Sequence, residues 1–244
     1  MSSPTIITLP NKDNSILENQ YGTGNYTVKL SETLKFSGDY EVYLLSATIP
    51  YTWYTLTEEN NTLTVKHSGV IHEIKISPGN INCVLALIKE IEVHTSPFGI
   101  DLSADEKTMR TKILVGPNST ISGPLLELLG FHANTKLLPG AFISPNIADI
   151  TGLGRLSSLL IYISIINNTY VGSFEAPLLA QIPIKDTKPG DIIHWQASGP
   201  DYETHKLKNS SFQTIEIDIR DSKGNSINFH NRKISVRIGI RKSN

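Results

Sequence analysis

The β pattern of this chain stops after Leu56 and returns at Ser157, and the roughly one hundred residues between read differently from both flanks. That interruption constrains the fold more than any single motif does. Its near edge is written into residues 36–56. A turn signal at Gly38-Asp39 leads into a β-rich strand over Tyr40–Ile49. The strand stops at Pro50, and the chain leaves through Tyr51, Trp53 and Tyr54.

Before the interruption, Thr5–Leu9, Tyr26–Leu30 and Tyr40–Ile49 are rich in Val, Ile, Thr and Tyr and bounded by Gly, Pro and Asn, which predicts three strands. After it, Leu159–Ile166 is a nearly continuous apolar run, the pattern of a strand buried on both faces. Ala176–Ile184 and Asp191–Gln196 follow. Thr214–Arg220 alternates, with Ile215, Ile217 and Ile219 opposite Glu216, Asp218 and Arg220. Lys233–Arg241 does the same, with Ile234, Val236, Ile238 and Ile240 on one side. Strict alternation puts one face on a core and the other on solvent or a partner. Three strands and then five make eight, the count of two packed antiparallel sheets in a jelly roll.

The middle segment predicts a different module. Thr62–His67 and Val70–Ile76 form a hairpin turned at Ser68-Gly69. Ile81, Val84, Leu85, Ile88 and Ile91 are spaced as one face of a three-turn helix, with Asn80 or Asn82 to cap it. Phe98–Leu102 and Thr108–Val115 give a second hairpin. Pro124–Leu129 gives a short helix that stops at Gly130. Residues 131–156 have Pro and Gly but no periodicity, which predicts an irregular return connection. The fold expected is therefore mainly β. A single eight-stranded antiparallel jelly roll would be formed by residues 1–56 and 151–244. A small α+β domain, 57–150, would be inserted between its third and fourth strands, the D–E loop.

Composition excludes several function classes. With 22 basic and 23 acidic residues the net charge is −1, without the basic excess of a nucleic-acid surface. No apolar run approaches the ~20 residues of a membrane-spanning helix. The start, Met1-Ser-Ser-Pro-Thr, lacks the pattern of a secretory signal, so synthesis inside the cell is expected. The single cysteine, Cys83, has no internal disulfide partner and reads as a core residue of the helix. The sequons at Asn25, Asn60, Asn118, Asn167 and Asn209 follow from composition rather than glycosylation.

No constellation carries catalysis. None of the seven histidines forms the His-x-His pair of a cupin metal site, and His67 and His72 read as exposed hairpin residues rather than ligands. Asp101, Ser103 and Asp105 have the first spacings of a calcium loop, but Glu106 stands at the sixth place where its glycine belongs and the bidentate glutamate of the twelfth is missing; a polar turn is expected. Glu216 and Asp218 share a face about 7 Å apart along one strand. Glycosidase carboxylates face each other across a cleft, so a solvated or interface face is expected. Gly152-Leu-Gly154-Arg155 lacks the helix and the Lys-Ser/Thr ending of a phosphate loop. Arg237, Arg241 and Lys242 read as a solvated strand end. Catalytic, cofactor-binding and metal residues are each expected to be none, and the chain is expected not to be an enzyme.

An ordered set of short motifs resembles a known family. Thr8-Leu9-Pro10-Asn11, Tyr26-Thr-Val-Lys-Leu30, Gly38-Asp-Tyr-Glu-Val-Tyr-Leu44 and Pro50-Tyr-Thr-Trp53 are similar to the early strands of penton, or minor capsid, proteins of virophages and Polinton (Maverick) elements. Tyr40 stands where that family often has tryptophan. Ser77-Pro-Gly79 and Leu125-Leu-Glu-Leu-Leu-Gly-Phe131 resemble landmarks of its inserted domain. Ala176-Pro-Leu-Leu-Ala-Gln-Ile-Pro-Ile184 and Phe212-Gln-Thr-Ile-Glu-Ile-Asp-Ile-Arg-Asp221 resemble its late strands.

The resemblance implies a structural capsid protein of the virion. A homopentamer would cap each fivefold vertex of an icosahedral capsid and contact a double-jelly-roll major capsid protein. It leaves room for a host receptor at the inserted domain, and it implies no cofactor and no catalytic residue. The alternative is a carbohydrate-binding jelly-roll module acting in host attachment, for which Tyr51, Trp53 and Tyr54 would be the aromatic platform.

Overall fold

The computed structural model describes residues 3–12, 16–19, 22–81, 83–105, 107–148, 156–185, 187–197, 203–222 and 224–243, and antiparallel strands dominate it. The first segment carries β1 (Thr5–Pro10), β2 (Ile16–Asn19), β3 (Tyr26–Lys35) and β4 (Tyr40–Pro50). Then come β5 (Thr62–His67), β6 (Val70–Lys75), helix α1 (Val84–Thr95), β7 (Ile100–Asp105), β8 (Arg110–Val115) and β9 (Ser119–Ser122). A single helical turn α2 (Leu125–Leu128), β10 (Lys136–Leu137) and β11 (Gly140–Ile143) follow. The last segment holds β12 (Ser158–Ile163), β13 (Thr169–Val171), β14 (Phe174–Ala176), β15 (Leu178–Pro183) and β16 (Ile192–Gln196). It closes with β17 (His205–Lys206), β18 (Ser211–Asp221) and β19 (Ser235–Lys242).

The chain divides into two compact units, 1–53 with 156–244, and 54–155. In the first unit one sheet has the order β1-β19-β4-β16, with β17 also paired to β4, and a second has the order β15-β12-β18-β3-β2. The pairs are antiparallel. The two sheets share one core. Ile7, Leu9, Val42, Leu44, Val236 and Ile238 come to it from one side, and Tyr26, Val28, Leu159, Ile161, Ile215 and Ile217 from the other. Burying each such side chain stabilises by about 1.5–3 kcal/mol, which fixes strand register, since a one-residue slip would expose the whole set.

The alternating strands behave as expected. Ile215, Ile217 and Ile219 are fully buried, while Glu216 and Arg220 are exposed and Asp218 is half-buried. Every residue of β12 is buried, as its unbroken apolar run predicts. The expected strand over 176–184 breaks at Pro177, which has no N–H to give a ladder, and becomes β14 and β15. At the edge of the core, His205 on β17 donates Nε2–H to the Leu179 carbonyl of β15 at 3.0 Å, tying one sheet to the other.

The second unit has a four-stranded sheet, β10-β9-β5-β6, and a three-stranded sheet, β11-β8-β7, with a core of its own. The hairpin β5–β6 turns at Ser68 and Gly69, both at positive φ (49° and 88°), the two-residue turn whose twist matches the strands. Helix α1 differs from expectation. It begins at Val84, so its buried stripe is Val84, Leu87, Ile88, Ile91 and Thr95, Ile81 precedes it, and Leu85 is 43% exposed. The expected cap at Asn80 does not hold it. The N-cap residue is Cys83, without a side-chain cap bond, and Asn80 instead accepts a hydrogen bond from Thr55 Oγ1 at 3.5 Å. Asn82 lies outside the described residues. Cys83 is exposed, not a core residue.

The expected irregular return is also corrected over 131–148. Its residues add β10 to one sheet and β11 to the other, and Ser144 and Ala148 donate backbone N–H to Thr111 and Met109. Strands of two and four residues around Pro139 are too short to show a period. Phe98, expected in a strand, sits in a 3₁₀ turn, Ser96–Phe98.

Candidate functional site

The outward face of β12 and β18 carries a concavity of about 370 Å³. Alternation places its groups: Glu216, Asp218 and Arg220 project from β18 on the side away from the core, and Tyr162 lies opposite Asp218 in the register. Arg220 Nε donates to Asp218 Oδ2 at 2.6 Å and Nη1 to the Gly224 carbonyl at 3.3 Å. The guanidinium sits 5.9 Å from the Tyr162 ring centroid. Burial pushes the Tyr162 hydroxyl above its ordinary pKa, with Arg220 opposing and Asp218 adding to the shift. Phe174, 55% exposed, and the Lys208 side chain complete the walls.

Asp218 is committed to Arg220, and the backbone N–H of Glu216 bonds to Ser164 Oγ at 3.0 Å, which fixes the strand and leaves the carboxylate directed outward. Tyr162 and Lys208 line the same groove as the two carboxylates.

The other sequence candidates lie apart. His67 Nδ1 is 2.8 Å from Ser119 Oγ, and Ser119 donates its own proton to the Phe98 carbonyl at 2.6 Å, so His67 is the donor of that pair. The His67 and His72 rings stand 5.8 and 4.5 Å from Phe98, closing one end of the second unit's core. Asp101 and Ser103 lie in the extended strand β7 and do not curl around a common point. Asp105 accepts backbone N–H from Lys107 and Thr108 at 3.0 and 3.2 Å, the polar turn expected there. Among the described residues no three His, Cys, Asp or Glu side chains gather as metal ligands would. Glu106 and Gly152–Arg155 lie outside the described residues.

Tyr51 and Trp53 are not a ligand platform. Both are buried in the first unit's core, stacked at 4.2 Å, and Trp53 meets Phe229 edge-on at 5.9 Å. Tyr54, 39% exposed, belongs to the second unit. Of the basic C-terminal residues, Arg241 bonds to Glu41 at 3.4 Å and lies 5.4 Å from the Tyr43 ring, whereas Arg237 is exposed. Sequence reasoning missed the hairpin β13–β14, whose Tyr170 is 79% exposed. Its only signal is the pair Thr169-Tyr-Val171 and Phe174 around Gly172-Ser173.

No protein-family model and no curated protein sequence matches this chain. Its fold does match solved structures. The crystal structure of the mavirus penton protein superposes with a TM-score of 0.53 at 9% identity, covering 98% of this chain and 100% of that one. A chain in the cryo-EM structure of the Sputnik virophage gives a TM-score of 0.47 at 10% identity, covering 98% of each. The chain is thus built on the fold of the mavirus penton protein over nearly its whole length. No helix among the described residues is long and apolar enough to cross a membrane.

Proposed function

We propose that this chain is a structural capsid protein of the penton type. The observation that carries the reading is a fold matched over 98% of its length to that of the mavirus penton protein. The sheet orders support a jelly roll. Lettering β1, β3, β4, β12, β15, β16, β18 and β19 as B to I turns the orders into B-I-D-G and F-E-H-C, the eight-stranded pattern of two Greek keys. Residues 57–150, inside the unit 54–155, are then an α+β domain inserted between D and E.

In this reading five copies close a ring at each fivefold vertex of the virion and contact a double-jelly-roll major capsid protein, while the inserted domain is the part offered to a host receptor. Catalysis has no part in it. A closed ring needs two different complementary surfaces on each copy, and a durable one buries ~2,000 Å² or more per contact. Light scattering on the purified chain is expected to give a mass five times that of one copy, and a heavier complex once the major capsid protein is added. Reconstruction of purified particles is expected to place the chain at the vertices. A strictly monomeric chain absent from particles would overturn the reading.

A further inference from the structure

The two outer faces of the first unit's sheets are built alike, and each holds one charge, of opposite sign, outside the ion pairs. On one, Arg220 is bonded to Asp218 and lies over Tyr162. On the other, Arg241 is bonded to Glu41 and lies over Tyr43. Each face thus carries one satisfied ion pair above a tyrosine. Each also carries one charge on a central strand that finds no ionic partner within the described residues: Glu216 on β18 and Arg237 on β19.

Their surroundings match as well. Glu216 is flanked by Thr27 of β3 and by Ser164, so its row is hydroxyl, carboxylate, hydroxyl. Two cations share this face without an ion pair to Glu216: Lys208 lines the same groove, and Lys29 of β3 stands opposite Thr214. Arg237 is flanked by Thr8 of β1 and Ser46 of β4, with Gln196 beyond. The shapes complement each other too. The Glu216 face is hollowed beside Tyr162 and Phe174, whereas the Arg237 face projects Ile6 and Ile192, 52% and 54% exposed.

We propose that these are the two halves of one contact: the Glu216 face of one copy receives the Arg237 face of the next copy of this chain. The inference rests on the ring proposed above and names the surfaces that close it. A charge outside any ion pair costs little on a free surface. Opposite an equal charge it would be repelled, and opposite its complement it sets the orientation of docking.

The test uses the full chain with Glu216→Arg, Arg237→Glu, and both together, followed by sedimentation and light scattering at about 0.15 M salt. Each single reversal is expected to weaken association roughly tenfold or more, and the double reversal to restore it, because like charges meet in the singles and unlike charges in the double. Circular dichroism confirms that each variant folds. Should the unaltered chain form pentamers that neither reversal affects, the faces are wrongly assigned while the ring stands. Should both singles weaken the ring and the double fail to rescue it, the pairing is likewise overturned. An unaltered chain that never associates, alone or with the major capsid protein, overturns the ring and this contact with it.

Discussion

Tyr43 lies flat across Gly239 on the outer face of the β4–β19 pair: a Cβ at Gly239 would stand 2.6 Å from Tyr43 Oη and 2.8 Å from Cε2. The ring is only 4% exposed although it faces away from the core, because Gly239 lies beneath it and Arg241 beside it. Gly239→Ala is therefore expected to destabilise the first unit by about 1–3 kcal/mol through overpacking. Urea unfolding measures it. In a double-mutant cycle the penalty is expected to shrink when Tyr43 is already Ala, because the clash is then gone.

Trp53→Ala is expected to cost about 3–5 kcal/mol, the range for removing a large buried aromatic side chain. It deletes the ring stacked on Tyr51 and set against Phe229. Thermal unfolding followed by far-UV circular dichroism reports the loss. A change under 1 kcal/mol would contradict its placement in the core.

Asn11, 1% exposed, holds the start of β19 from both ends of its amide: Nδ2 donates to the Arg232 carbonyl at 2.9 Å, and Oδ1 accepts from Ile234 N–H at 2.8 Å. Asn11→Ala leaves those buried groups without side-chain partners and is expected to cost about 1–3 kcal/mol. Asn11→Asp keeps the acceptor but places a charge against the Arg232 carbonyl, so it is not expected to rescue. Hydrogen exchange at the Ile234 amide, faster in both variants, localises the effect.

The Asp105 carboxyl is held below its ordinary pKa of 3.8, first by the Thr108 N–H and then by that of Lys107, with Lys112 assisting. A depressed native pKa gives stability that is complete above the unfolded value and fades as pH falls through the native one. Carboxyl carbon titration is expected to find Asp105 titrating below 3.8. The acid limb of stability below that pH is expected to flatten in Asp105→Asn.

Much of the strand pattern was legible because its physics is local. Ile215, Ile217 and Ile219 alternate with Glu216 and Asp218, and the apolar run Leu159–Ile163 of β12 marked a strand buried along its length. What escaped were elements that exist through a distant partner. β10 and β17 are two residues long, and only pairing to β9 and β4 makes them strands. The stripe of α1 was displaced because the periodicity of Ile81 ran past the true helix start at Val84. In the candidate site the carboxylate face of β18 was readable from alternation. The groove was not, since Tyr162, Phe174 and Lys208 reach it from three separate segments.

The pairing order has a consequence for how the chain is made. Thr48 of β4 pairs with Ser235 of β19, roughly 190 residues later, and β3 waits for β18 over a similar span. At a synthesis rate of about 5–20 residues per second, β4 leaves the ribosome on the order of ten to forty seconds before β19 exists. Pairs in the second unit close within the segment 56–143 and need no such delay. Until β16 emerges, roughly 145 residues after the β4 residues it pairs with, the Tyr40–Pro50 strand is an unpaired, largely apolar ribbon in a crowded cell. Its protection is a matter for chaperones and translation speed, and slowing translation across residues 56–143 should lower the soluble yield more than slowing it before residue 40.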